Sequence, residues 1–209
     1  VGGLLCLGLL VVVFFGSRLA PHNPYLLVGV EKVNGTYMGP PFAPSARFPW
    51  GTDALGRDLL SLILLGAQQT FLLATVAVAA RMAVGIVLGA IAGWRRGSVV
   101  DRAIVGLAQV ITPFPILLLA MLIILAVGIR QGVLPFVVGL CVVGWGELAQ
   151  FVRAEVITLK SRPFVESARA IGAEPPRLIA AHLLPHLTPS LIALVAIEFS
   201  GVLMLLGEL

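Results

Sequence analysis

Charge is what this sequence has least of. Asp, Glu, Lys and Arg make up 11% of its 209 residues, less than half of the roughly 25% typical of a soluble domain, while 59% are hydrophobic and the mean hydropathy is +1.05. That excludes a chain whose whole surface meets water and leaves the bilayer as its solvent. Cysteine is scarce as well: Cys6 and Cys141 both lie inside apolar runs, where they can neither staple a secreted mini-fold nor supply a metal cluster. Lysine occurs only at Lys32 and Lys160, and neither follows a glycine. The chain therefore has no Gly-x-x-x-x-Gly-Lys-Ser/Thr loop and cannot cradle ATP by that route. His182 and His186 are four apart, but Pro185 interrupts the helix between them and no glutamate stands where a His-Glu-x-x-His zinc site requires one. An intramembrane hydrolase would want a nucleophile and a base at matching depth, whereas Ser200 sits in an apolar run and the histidines do not. No catalytic residue, metal site or cofactor is expected.

What the chain has instead is long apolar runs. A spanning helix needs about 20 mainly apolar residues, and five stretches are candidates: 1–15, 71–94, 103–129, 132–152 and the run after Pro189 that is still apolar at Leu209. The first is short as it stands and lacks the basic flank and small-residue cleavage site of a signal peptide. The expectation is an all-α transmembrane protein, a polytopic helical bundle forming one membrane domain over 1–209. Five spans are visible, the first and last incomplete, in what reads as a fragment of a larger membrane domain. With 23 Gly and 14 Pro, the helices should be interrupted; Pro113 and Pro115 are expected to kink the third span and free backbone carbonyls.

Lys and Arg near span ends are retained on the cytoplasmic side. With alternating spans, one face collects Arg95, Arg96, Arg102, Arg153, Lys160, Arg162, Arg169 and Arg177 in two compact stretches, and the other collects Arg18, Lys32, Arg47, Arg57 and Arg130 over a longer one. The bias places the 94–102 loop and the 153–186 segment in the cytoplasm and the 16–70 segment outside. Orientation thus accounts for the basic residues, and nucleic acid is not expected as a partner.

The outer segment carries Pro21, Pro24, Pro40, Pro41, Pro44 and Pro49 among Gly, Asn and Tyr, which is turn and extended chemistry. It ends in Gly51-Thr52-Asp53-Ala54-Leu55-Gly56-Arg57-Asp58. Thr52 or Asp53 is placed to cap a short helix, and Arg57 can pin that turn by pairing with Asp53 or Asp58. This stretch is either a structured lead-in to the second span or a contact surface for an extracellular partner.

Beyond the fourth span, Phe164-Val165-Glu166-Ser167-Ala168-Arg169-Ala170-Ile171 reads as a short helix entered through Pro163, a residue tolerated at a first helical position. Gly172 allows the left-handed turn that ends it. Pro175 and Pro176 can open a second short helix through Arg177 and His182, which Pro185 closes or kinks. Two helices this short are unstable alone in water. They pack either on the protein's own span ends or, as a small helical knob, in a partner's groove.

The order Glu166, Ala168, Gly172 and then Leu184-Pro185, with the glycine six positions after the glutamate and Pro185 thirteen after the glycine, resembles the Glu-Ala-Ala cytoplasmic signature of permease subunits of binding-protein-dependent ABC importers. Gly51-Thr52-Asp53 with Leu55-Gly56-Arg57-Asp58, Ser61 and Gly66, then Phe114-Pro115, Gly144-Trp145 with Arg153, and His182, are similar to the dipeptide, oligopeptide and nickel branch of that family. Ser167 stands where the signature has its second alanine, and Leu62 and Gln68 replace arginines common in the branch's outer motif. The resemblance implies a multi-pass permease of a prokaryotic cell (inner) membrane that imports peptides, or nickel or another small solute. It implies a sixth span and a preceding cytoplasmic tail. Its partners would be one or two ATP-binding subunits, a second homologous permease subunit and an extracytoplasmic substrate-binding protein. The 159–186 segment would couple to the ATPase, with Glu166, Ser167, Ala168, Arg169, Gly172, Arg177, His182 and Pro185 as its contact and turn residues.

Polar residues at membrane depth remain. Arg81 in the second span and Glu147 in the fourth each cost about 2.5–3.5 kcal/mol at a helix centre, so they should face protein or water, either in the translocation path or against a neighbouring subunit. Glu198 and Glu208 in the last span are candidates to line a cavity. A self-sufficient secondary carrier with Arg81 and Glu147 as coupling charges is the rival reading, but five or six spans are few for one, and it leaves the cytoplasmic helix pair unexplained.

Overall fold

The computed structural model describes residues 2–33 and 36–209, and their side chains except at residues 5, 6, 31–33, 36 and 129; the Cys6 and Lys32 side chains named above lie outside the described residues. Contacts divide the chain into two compact units, one up to Leu72 and one from Leu73 to Leu209. Among the described residues, eight α-helices run in the order α1 (Gly2–Leu19), α2 (Leu59–Trp94), α3 (Val99–Ile111), α4 (Ile116–Val127), α5 (Leu134–Lys160), α6 (Pro163–Ala170), α7 (Pro175–Leu178) and α8 (Leu184–Glu208). Between α1 and α2 a small antiparallel hairpin pairs β1 (Glu31–Val33) with β2 (Thr36–Met38), Lys32 opposite Tyr37. Among the described residues, four helical runs are long and apolar enough to cross a membrane, and the bent pair α3–α4 makes a fifth.

The helix boundaries differ from the expected spans in four places. α2 is a single helix of 36 residues, about 54 Å at 1.5 Å per residue; it starts at Leu59 rather than at 71, because nothing between 59 and 70 breaks a helix except Gly66, worth only about 1 kcal/mol. The third span is two helices meeting at 98°, broken where Pro113 and Pro115 withdraw two N–H groups. α5 continues past 152 to Lys160. The last span begins at Leu184, with Pro185 tolerated in its first turn and Pro189 inside it. A π-helical stretch at Ile179–Leu183 leads into it, the Leu184 N–H reaching the Ile179 carbonyl, so one helical run continues through Pro185 instead of being closed there.

In the first unit α1 approaches α2 at Gly16, where an added Cβ would lie 2.3 Å from the Leu64 carbonyl oxygen. The second unit is organised by two parallel helices in four-residue register. Gly85, Gly89 and Gly93 of α2 lie against Leu148, Val152 and Val156 of α5, and a Cβ on any of the three would come within 2.8 Å of α5 atoms. Glycines spaced this way bring helix backbones together where lipid supplies no hydrophobic drive. Around this seam are packed Ala74, Ala77, Val78, Met82, Leu140 and Val202, and further along Ala90 and Leu187. On its other faces α5 receives α4, with Gly139 against Ile124 and Ala120, and α3, with Gly146 against Ala108.

Candidate coupling segment and intramembrane charges

The 51–58 stretch is a pinned turn, not a capped helix. The Thr52 hydroxyl accepts from the Phe42 N–H at 2.9 Å, and Thr52 bridges to Asp58 across the turn. Asp53 accepts from the N–H groups of Leu55 and Arg57 and pairs at 2.7 Å with the Arg57 guanidinium; the Arg57 N–H above all holds its carboxyl below the usual range. Gly51 and Gly56 sit at φ 76° and 82°, the left-handed region that glycine tolerates. Arg57 therefore chooses Asp53, while Asp58, 2% exposed, serves His22 at 3.1 Å and Ser61 at 2.5 Å through one oxygen. The His22 N–H also donates to the Ser61 hydroxyl. His22 and Ser61 carry no sequence signal that would pair them across 39 positions.

Burial works to raise the Asp58 pKa, but hydrogen bonds from Ser61 and His22 outweigh it and hold the carboxyl below its ordinary 3.8. A lowered carboxylate contributes stability that is complete above its unfolded value and lost as pH falls through the folded one. In detergent, Asp58→Asn is expected to lower the melting temperature at neutral pH by roughly 3–5 °C and to flatten the wild-type decline below about pH 4. An unchanged acid limb in the variant would show that Asp58 does not set it.

Of the intramembrane charges, Arg81 is 5% exposed. It donates from Nε to the Leu140 carbonyl at 2.6 Å and pairs through Nη1 with Glu198 at 3.0 Å, tying α2, α5 and α8 together. Its guanidinium occupies the space Gly144 leaves open: a Cβ there would lie 2.3 Å from Cζ. Arg81 and Glu198 thus form an interhelical ion pair, with the Glu198 side chain 12% exposed. Glu147, the middle residue of α5, is exposed, and among the described residues nothing pairs with it. Nearer the end of α5, Arg153 forms a two-point contact with Asp101 of α3 at 2.5 and 2.9 Å. Asp101 also accepts from the Gly97 N–H, and Ser98 caps α3 by accepting from the Asp101 N–H.

The short helices follow directly. Pro163 opens α6, and a Schellman motif closes it: the Ala173 N–H reaches the Ala168 carbonyl at 3.0 Å and the Gly172 N–H reaches that of Arg169 at 2.9 Å, with Gly172 at φ 90°. Val165 and Ala168 turn inward and are buried, so Ala168 is not available to a partner. Glu166, Ser167, Arg169, Ala170, Gly172 and Arg177 face solvent, as does Pro185, while His182 is half-buried. Ile171, at the tip, is 88% exposed.

Two aromatic contacts hold this knob to the spans. Trp94, the last residue of α2, has Lys160 Nζ 4.9 Å and Arg169 Cζ 4.8 Å from its ring, and its carbonyl accepts from Lys160 at 2.5 Å. Phe164 of α6 stacks on His186 of α8 at 4.6 Å, and His186 Nδ1 donates to the His182 carbonyl. Trp94, Phe164, His186 and Ile171 were not among the sequence-derived candidates. Only the exposed Ile171, an apolar residue beside Gly172 in an otherwise polar turn, offered a signal.

Residues 85–206 match the family described as the inner membrane component of binding-protein-dependent transport systems. The chain is 30% identical over 190 residues to a glutathione transport system permease protein of Pectobacterium atrosepticum, covering 91% of the chain and 60% of that protein. It is also 30% identical over 149 residues to an oligopeptide transport system permease protein of Bacillus subtilis (71% and 48%) and over 185 residues to a dipeptide transport system permease protein of the same organism (88% and 54%). The chain thus spans about half to three fifths of the length of these relatives. With the match covering both the glycine seam and the short helices that follow α5, the chain belongs to the family of inner-membrane components of binding-protein-dependent transport systems.

Proposed function

We propose that this chain is a permease subunit of an ATP-driven peptide importer, and that α6, the Gly172 turn and α7 are the surface on which an ATP-hydrolysing subunit acts. The observation that carries this reading is the knob's attachment: a solvent-facing helix pair with an exposed apolar tip, clamped to α2 through Trp94 and to α8 through Phe164 and His186. A push on Ile171 and its neighbours is delivered to three helices, α5 being joined to α6 directly. Arg169 and Arg177 supply charge for carboxylates at the rim of a receiving groove. The relatives' transport of glutathione, oligopeptides and dipeptides favours peptides as cargo. A second permease chain and an extracytoplasmic binding protein complete the assembly.

The test is reconstitution of the full assembly in liposomes with Ile171→Cys in the permease and cysteines around the expected groove of the ATPase subunit. Peptide uptake that requires ATP and the binding protein, together with a disulfide from Ile171→Cys to the ATPase, is the expected result. Uptake without nucleotide, or a cysteine at 171 that labels from the outer face, would remove the reading.

A further inference from the structure

Glu147 sits at the middle of α5, about 20 Å from either end, and is exposed with no hydrogen bond or ion pair among the described residues. Arg81, the basic side chain at similar depth on α2, is already committed to Glu198 and the Leu140 carbonyl. An ionised group at such depth has to face protein or a water-filled cavity, and no counterpart stands opposite it among the described residues.

Two features around Glu147 attract a cation. It borders a cleft of about 20 Å³ with Thr112, Phe114, Leu119, Val143 and Gly146, room for one water-sized group. The cleft lies at the α3–α4 break, where α3 presents its C-terminal end, the negative pole of the helix dipole. Pro115 has no N–H, the Phe114 N–H serves Ile111 at 3.1 Å, and among the described residues no backbone N–H reaches the carbonyl of Thr112, a residue of the cleft wall. The second feature is the ring of Phe114, 54% exposed, since the face of an aromatic ring attracts cations. Broken membrane helices use unwound carbonyls and helix C-terminal ends to coordinate small cations at the midplane, and here a carboxylate and an aromatic face stand beside them.

We propose that Glu147 and the α3–α4 break form a site for a primary ammonium group, such as the amino terminus of a peptide in transit. This rests on the importer reading and adds to it the part of the cargo that the wall of the path recognises. A terminal ammonium is common to peptides of any side-chain composition, so a contact to it guides cargo without selecting sequence.

In the reconstituted assembly carrying Cys6→Ser and Cys141→Ser, Thr112→Cys reports on the cleft. A cationic methanethiosulfonate is expected to label it about tenfold or more faster than an anionic one. Glu147→Gln should abolish that preference and lower uptake of a free-amine dipeptide severalfold, with assembly and binding-protein-stimulated ATP hydrolysis intact. Failure of both reagents to label would mean a partner subunit or lipid covers the cleft, and equal labelling rates would mean Glu147 sets no field there; either overturns the site. Unchanged uptake by Glu147→Gln overturns the cargo contact. Failure of the importer reading itself shows separately, as a wild-type assembly without ATP-dependent uptake, and leaves the labelling ratio readable.

Discussion

Replacing Arg81 with methionine is expected to cost about 3–5 kcal/mol of stability, because it leaves the Glu198 carboxylate buried without a partner. The pair joins two helices at membrane depth with both side chains largely buried, at 6% and 12% exposure, and the Arg81 Nε also satisfies the Leu140 carbonyl. Removing the whole pair is a different matter. Arg81→Met with Glu198→Met exchanges two desolvated charges for apolar volume and is expected to recover most of the loss, since buried pairs are often replaceable that way. A third variant separates charge from shape: Gly144→Ala keeps both charges but places a Cβ 2.3 Å from the guanidinium carbon, so it should destabilise in the same direction as Arg81→Met. Melting in detergent, followed by tryptophan fluorescence, reads all three. Equal melting temperatures for wild type and Arg81→Met would mean that the pair is open in the folded protein.

Gly172→Val is expected to cut ATP-dependent uptake more than tenfold while leaving the assembly intact and basal ATP hydrolysis running. At φ 90° a β-branched residue is in a region costing roughly 1–3 kcal/mol, whereas α6 has eight residues, too few to persist without its cap. Loss of the Schellman turn redirects Ile171 and α7 rather than unfolding the spans, which are held by the glycine seam and by the Arg81 pair. Nothing lies within 4 Å of a Cβ at this position, so the effect is conformational and not steric. Gly172→Asn is the control: asparagine tolerates the left-handed region far better, and it should keep most of the uptake. If Gly172→Val assembles and transports normally, the turn does not transmit force.

The Arg81 and Glu147 variants separate a structural charge from a working one, a distinction that residue types alone do not make. Arg81, Glu147 and Glu198 are all ionisable groups in apolar runs, and the sequence gives each the same insertion cost. Only the approach of α8 to α2 across 117 positions shows that Arg81 belongs to Glu198 and leaves Glu147 unmatched. The same holds at the 51–58 turn. Spacing allows Arg57 either aspartate, and the choice of Asp53 follows from Asp58 being taken by His22, 36 positions earlier. Ala168, readable from its motif as a contact residue, turns inward because a helix of eight residues can show only one face to a partner.

Composition and local chemistry by themselves determined the apolar helical architecture, the break of the third span at Pro113 and Pro115, and the short helix entered at Pro163 and ended at Gly172. These are properties of runs and of single residues' backbone preferences, which neighbours in the chain decide. The tertiary structure alone decided the glycine register of α2 on α5, the partner of each buried charge and the clamping of the knob by Trp94 and His186. Each of those depends on which helix faces which, and in a membrane that is set by close packing and by the need to pair every desolvated charge, terms that act between residues far apart in the sequence.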